Sequence, residues 1–260
     1  MAVAVASGHG VVRVPSRPRV GILSSGDELV GVDAFQRVID GVGIPDTNRQ
    51  MLLAAIRELD ATPVDLGIVQ DSPEALRDAM ESLPDLDVLV TTGGASMGEK
   101  DLFKRILEDA SFELAFWRAK IRPGSPVSFG HMKGDESDLP VFGLPGNPAS
   151  AFVTFHVFVT PYLRSLAGCP PPHLPTLTAY CSQRVSTPAH LTHFLRVALA
   201  WDENEPGRVT CTPTGPQGSG LVAPLLRVDG LAVVPEGVGD VQLQEPLKTI
   251  LLPGGRISGA

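Results

Sequence analysis

The sequence predicts an α/β protein: a mostly parallel sheet covered by helices on both faces, followed by a small all-β domain. Three observations predict it. Short β-branched and apolar runs alternate with stretches of helical spacing through residue 168, the pattern of strand–helix–strand units. A proline-rich stretch, Cys169-Pro170-Pro171-Pro172-His173-Leu174-Pro175, then resists helix and strand alike and reads as a stiff linker. Beyond it, from 176 to 260, short β-like runs alternate with Gly and Pro turns, with no convincing helix. The expected domains are therefore 1–168 and 176–260, with 169–175 between them.

The elements follow in order. Residues 19–24 (RVGILS) read as a buried strand ending in the polar loop Ser25-Gly26-Asp27-Glu28. Asp46 or Thr47 can cap a helix through about Ala61, because Met51, Leu52, Ala55, Ile56 and Leu59 recur at helical spacing. A strand over Pro63–Val69 precedes a second helix, with Ser72 as N-cap and Pro73 at its first position. Asp87–Thr92 is another buried strand, leading through Gly93-Gly94 into a helix over about 101–110. Residues 112–130 read as two strands joined by Arg122-Pro123-Gly124-Ser125-Pro126. A tip at Lys133–Asp138 and a strand at Val141–Gly143 come next. Leu144-Pro145-Gly146-Asn147-Pro148 then opens a long apolar helix to about Leu166. In parallel sheets ligands sit beyond the C-terminal strand ends. The polar loops lie there.

Bulk properties exclude several classes. The 260 residues are 43% hydrophobic and 19% charged, with a net charge of −8 and no long basic run, which disfavours nucleic-acid binding. No stretch approaches the roughly 18 apolar residues of a membrane helix. At the N-terminus the basic residues follow the apolar ones, unlike a secretory signal. Cys169, Cys181 and Cys211 form neither a disulfide framework nor a CxxC motif, so a cytoplasmic protein is expected.

Four segments carry chemistry. In Gly93-Gly94-Ala95-Ser96-Met97-Gly98-Glu99-Lys100-Asp101, small residues after a buried strand let backbone N–H groups approach an anion, and the next helix N-terminus adds partial positive charge. Asp101 there reads as a cap or a ligand. In Phe116–Arg122, a strand would project Arg118, Lys120 and Arg122 from one face, a local anion site or a solvated edge. Pro145 and Pro148 around Gly146-Asn147 form a rigid turn presenting Asn147 and Ser150 at a helix start, for binding or only for geometry. Gly215–Gly220, with Arg196 upstream, places small residues around Ser219, which suits an oxyanion but also a plain turn. His156 reads as a core histidine, and His190 with His193 lacks the further ligands of a zinc set.

Together and in this order, these segments resemble the molybdopterin molybdenumtransferase family (bacterial MoeA and the gephyrin E domain). Ser25-Gly26-Asp27-Glu28-Leu29 is similar to its (S/T)GDEL strand end, and Asp46-Thr47-Asn48 to its D(S/T)N segment. Gly93 to Asp101 matches GGxSxGxxD, Arg122–Pro126 a KPGKP-like turn, and Leu144–Ser150 LPGNPxS. Gln217–Ser219 and Pro235–Gly237 match its QxS and Pro-Glu-Gly segments. The resemblance implies a three-layer MoaB/Mog-like domain, then a small β domain. It implies that adenylylated molybdopterin is cleaved with Mg²⁺ present, molybdate being inserted at the dithiolene and AMP released. It implies Asp101, with Asp71 or Glu28, as Mg²⁺ ligands. Gly93–Gly98 would hold phosphate, with Arg118 and Arg122 neutralising charge. Ser150, Arg196 and Ser219 would contact molybdate. A homodimer, and a molybdopterin adenylyltransferase as partner, are further family expectations. Two departures stand out: Ser125 replaces the family's second turn lysine, and two domains that family members carry before the GDEL strand have no counterpart here. The competing readings are adenylylation, as in MogA/MoaB proteins, and a non-catalytic binding module or half of a split enzyme.

Overall fold

The computed structural model describes residues 2–93, 112–134 and 137–259. A short exposed helix, α1 (Ala2–Ala6), precedes β1 (Arg19–Ser25). An excursion follows that the sequence pattern did not signal: β2 (Leu29–Val30), a 3₁₀ turn (Val32–Ala34), α2 (Gln36–Ile39) and β3 (Ile44–Pro45), with β2 and β3 paired in parallel. Helix α3 (Thr47–Glu58) starts where capping chemistry predicts: the Asp46 carboxylate accepts from Arg49 N at 3.2 Å. It buries Leu52, Leu53 and Ile56, the spacing of one helix face. Strand β4 (Thr62–Val69) leads to α4 (Pro73–Glu81), capped as expected by Ser72 Oγ accepting from Ala75 N at 3.2 Å. Then comes β5 (Val88–Gly93). The helix expected over 101–110 lies outside the described residues.

The next segment departs from the expected pair of strands. β6 (Phe112–Trp117) stops at Trp117, because Arg118 turns to a positive φ of 72°, outside the extended region a non-glycine strand residue uses. The chain folds back tightly there, Arg118 N donating to Val127 O and Ala119 N to Ser125 O. A two-residue strand, β7 (Ile121–Arg122), leaves the first sheet altogether. β8 (Ser128–Met132) and β9 (Leu139–Leu144) return to it. The long helix α5 then runs as Pro148–Thr154, a π turn Phe155–Val159 and Thr160–Leu166. Pro161 has no N–H to offer the preceding turn, which accounts for the irregularity.

The first sheet has the order β4-β1-β5-β9-β8-β6, with β4, β1, β5 and β9 parallel and β8 and β6 antiparallel at one edge. β1 and β5 are buried throughout their centres (Val20, Ile22, Val88, Val90), as a sheet covered on both faces requires. One face packs on α4 through Leu23, Val69, Leu76, Leu89 and Val141. The other packs on α3 and α5.

After Gly168 the prolines are held rather than free: Arg164 Nε donates to Pro172 O at 2.8 Å and Leu174 is buried. The C-terminal strands are β10 (Thr176–Cys181), β11 (Val185–Ser186), β12 (Thr192–Trp201), β13 (Val209–Pro213), β14 (Gly230–Val234), β15 (Asp240–Val241), β16 (Pro246–Leu251) and β17 (Ile257–Ser258). The order β13-β10-β16-β14-β12 closes on itself because β12 also pairs with β13. A five-stranded barrel results, filled by Ala179, Leu195, Val197, Leu199 and Ala232. The only helical piece there among the described residues is a 3₁₀ turn, Ala223–Arg227. Through β7 on β12, and through Ile121, Phe194, Leu231 and Leu252 in the core of α3 and α5, the barrel and the sheet share apolar contact.

Candidate functional site

From β1 the chain crosses to β4 on one side, and from β4 it crosses back to β5 on the other side of β1. Parallel strands whose connections diverge in this way leave a crevice at their C-terminal ends. Here those ends are Ser24-Ser25 and Thr92-Gly93, both polar and nearly all buried. Gly93 has φ 110° and lies so close to the Ser25 carbonyl that a side chain would collide with backbone.

Hydrogen bonds fix the crevice walls. Ser24 Oγ donates to Asp46 Oδ1 at 3.1 Å, and Arg49 Nε donates to the other Asp46 oxygen at 2.7 Å. Asn48 Nδ2 donates to Thr92 Oγ1 at 2.9 Å and to Gly146 O at 2.7 Å, tying the end of β5 to the turn before α5. Ser25 Oγ donates to Asp71 Oδ1 at 3.0 Å, while Asp71 N donates to Asp27 Oδ1. The resulting cleft, about 590 Å³, is lined on one side by Glu28, Leu29, Ile44 and Pro45 and on the other by Asn147, Gly220 and Val222. The β2–β3 excursion and the barrel thus both wall it.

A second cleft of about 320 Å³ shares Asn147 with the first. Arg122, Ser125, Pro145, Ser150, Gln217 and Ser219 line it. Helix α5 begins at its base, with Asn147 as N-cap and Ser150 buried in the first turn. Ala149 N donates to Ser219 O at 2.9 Å, joining the barrel loop to that helix start.

Beneath this loop lies Arg196, wholly buried on β12. The Gln217 side chain behaves as a missing strand neighbour: its Oε1 accepts from Arg196 N at 2.9 Å and its Nε2 donates to Arg196 O at 3.3 Å. Arg196 Nη2 donates to Pro216 O and Gly218 O at 3.3 and 3.2 Å, but Nε and Nη1 have no partner among the described residues. It has no carboxylate partner among the described residues, and burial pulls its pKa down to about 10. His193, also buried, is held near 4 by desolvation and by the Arg122 and Arg196 guanidiniums, so it stays neutral at pH 7. The corner where β7, β12 and the loop meet is cationic, and Arg196 there is uncompensated by any carboxylate among the described residues.

Of the residues singled out from sequence, the structure gathers Glu28, Gly93, Arg122, Pro145, Gly146, Asn147, Ser150 and Ser219 around these two clefts, while Asp71 lines neither and is held by Ser25 at the end of β1. Gly94, Ser96, Gly98 and Asp101 lie outside the described residues. The common cationic face of Arg118, Lys120 and Arg122 does not exist, because the strand ends at Trp117. Arg118 instead stacks over the Trp117 ring, 4.7 Å from its centroid, and Lys120 Nζ pairs with Glu236 at 3.3 Å in solvent. Arg196 supports the Gln217–Ser219 loop from below rather than lining a cleft. Ser125 Oγ donates to Ala119 O at 2.9 Å, so its proton is already engaged. Missed from sequence were the bonds that make Asn48 a clamp and the wall built by residues 29–45. A polar pair, Asp46 and Asn48, at the start of an amphipathic helix was the available signal for the first. For the wall there was none.

Two adjoining clefts at a sheet switch point, with oxygen donors in one and, beside the other, a cation uncompensated among the described residues, are suited to a large anionic ligand. Residues 21–165 match the family model of a probable molybdopterin binding domain, and residues 178–251 match that of the MoeA C-terminal region (domain IV). The chain belongs to the MoeA family. It is 28% identical over 246 residues to a molybdopterin molybdenumtransferase of Bacillus subtilis, covering 94% of this chain and 55% of that protein. A Haemophilus influenzae molybdopterin molybdenumtransferase is 32% identical over 232 residues, 87% of this chain and 54% of the other. The crystal structure of a molybdopterin biosynthesis MoeA protein from Pyrococcus horikosii matches with a TM-score of 0.78 at 28% identity, over 96% of this chain and 58% of that one. This MoeA-family chain therefore spans little more than half the length of these relatives.

Proposed function

We propose that the chain carries the ligand-binding and catalytic clefts of a molybdopterin molybdenumtransferase, which inserts molybdate into adenylylated molybdopterin and releases AMP. The observation that carries the reading is the buried Arg196 guanidinium, without a carboxylate partner among the described residues, next to the Arg122 cleft. A cation taken out of water without a counter-charge is costly, and a bound oxyanion relieves that cost. The smaller cleft, with Arg122, Ser150 and Ser219, is assigned to molybdate. Arg196 acts on it as a positioning residue, holding the loop and adding its field through a medium that screens poorly. Arg122 neutralises oxyanion charge directly, and Ser150 and Ser219 supply hydroxyls. The larger cleft is assigned to the nucleotide–pterin. There the Gly93 turn brings backbone within reach of phosphate, and Asn147, on the wall common to both clefts, faces the point where the two substrates meet.

Two carboxylates fit Mg²⁺ by chemistry: Glu28, after β1 in the larger cleft, and Asp71, after β4, offer hard oxygen donors, and Ser25 at the end of β1 holds Asp71 in place. Asp101 is assigned as a third ligand. When bound, the ion would neutralise phosphate charge as the AMP leaving group forms. Homodimerisation, a cytoplasmic location and receipt of substrate from a molybdopterin adenylyltransferase belong to the same reading.

The test is AMP release from adenylylated molybdopterin by the purified chain with Mg²⁺, with and without molybdate. Molybdate-dependent release that Asp101→Asn abolishes would support the whole assignment. No release despite measurable substrate binding would reduce the chain to a binding module. Release that ignores molybdate would sink the assignment of the smaller cleft.

A further inference from the structure

Cys181 and Cys211, thirty residues apart in sequence, meet in the barrel. They stand opposite each other in register on the parallel strands β10 and β13, and both are wholly buried. Neighbouring strands lie about 4.8 Å apart, inside the roughly 4.4–6.8 Å Cα separation that a disulfide spans. The seam they occupy is the weak one. β10 and β13 are paired by only two residue pairs, Tyr180 with Thr210 and Cys181 with Cys211, whereas each of the other four seams has four or five. Beside it only Ser182 N to Cys211 O at 3.0 Å, and Ser182 Oγ with Thr212 Oγ1 at 2.8 Å, extend the contact. β13 runs straight into the Thr214–Gly220 loop that covers Arg196 and reaches the start of α5.

We propose that Cys181 and Cys211 form a redox clamp, closing the barrel with a disulfide when hydrogen peroxide reaches the seam. A short seam opens locally at modest cost, which admits an oxidant as small as peroxide. Cys181 is the attacking sulfur. The neighbouring Cys211 thiol draws the Cys181 pKa down to about 6, and the same contact, with burial, pushes Cys211 up; at rest the Cys181 thiol donates to Gln183 O at 3.1 Å, and it gives up that proton on becoming the thiolate. The Cys181 thiolate attacks one peroxide oxygen, breaks the O–O bond and becomes a sulfenic acid as one water leaves. Cys211 then gives up its proton and attacks the Cys181 sulfur, expelling the hydroxyl as a second water. Two thiols and one peroxide thus yield one disulfide and two waters. The bond ties the strand that carries the Gln217–Ser219 loop to the rest of the barrel.

The experiment uses the whole chain with exposed Cys169 replaced, Cys169→Ser, so that only the seam cysteines remain. After treatment with hydrogen peroxide, the protein is alkylated in denaturant and its intact mass and melting temperature are measured. The expected product is monomeric, two hydrogens lighter, takes up no alkyl group and melts roughly 5 °C or more higher, all reversed by dithiothreitol. Adding Cys211→Ser should abolish both the mass loss and the rise in melting temperature. Two alkyl groups still taken up, added oxygen without a cross-link, or a disulfide-linked dimer would each overturn the proposal. None of these outcomes depends on whether the chain transfers molybdenum.

Discussion

Arg196 shows how one side chain can serve structure and chemistry at once. Its backbone and one guanidinium nitrogen hold the 214–218 loop, while two nitrogens stay unmatched among the described residues. Arg196→Gln removes the charge and keeps a donor for the loop carbonyls. We expect unfolding by urea to change little, because a buried unpaired charge contributes no stability. Molybdate-dependent AMP release should fall on the order of a hundredfold, the usual cost of losing a preorganised electrostatic group. Activity retained in this variant would remove Arg196 from the mechanism. Ser125 makes the converse prediction. With its proton committed to Ala119 O, it leaves Arg122 as the one cation lining the smaller cleft among the described residues. Ser125→Lys should therefore tighten molybdate binding several-fold in calorimetry, against about 1 kcal/mol of stability for the lost hydrogen bond. Unchanged affinity would mean that the oxyanion binds elsewhere.

Among the elements, the helix starts were legible because capping is local chemistry. Asp46, Ser72 and the Pro73 and Pro148 positions all follow from the identity of two or three adjacent residues. Ser72→Ala should lower the unfolding free energy by about 1 kcal/mol, read as a shift in urea midpoint with unchanged slope. The cationic strand was misread because alternation is only a pattern. Nothing local announces that Arg118 takes a positive φ, or that β7 abandons its neighbours to pair with β12, its partners lying 71 residues further on (Ile121 with Thr192). Asn48 is intermediate. It lies in a segment whose capping was legible, yet its partners Thr92 and Gly146 come from two distant strand ends.

Over the whole molecule, sheet and barrel are joined by one apolar cluster that includes Ile56, Phe155, Ile121, Phe194, Leu231 and Leu252. Phe194→Ala should cost about 3–5 kcal/mol and lower a single transition in calorimetry. A barrel melting separately from the sheet would contradict the shared core. Stability should also depend on pH through His156 and His193. Both are held near 4 in the folded protein, mainly by burial, against 6.5 for the free side chain. A histidine kept neutral by folding binds its proton more readily in the unfolded chain. Stability is therefore full above pH 6.5 and declines as pH falls towards 4, by on the order of 3 kcal/mol for fully buried His156. His156→Leu should flatten that decline in urea titrations at pH 7 and pH 5. An unaltered slope would place the loss in other groups.

The sequence by itself determined the alternation of strands and helices, the helix caps, the glycine and proline turns and the family likeness, because all of these are written in neighbouring residues. Tertiary structure decided the rest. Which cation reaches a cleft, which is buried, which serine has a free proton and which cysteines touch all depend on pairings between residues tens of positions apart. Those pairings are selected by burial of the shared core and by satisfaction of backbone hydrogen bonds, which act on the chain as a whole.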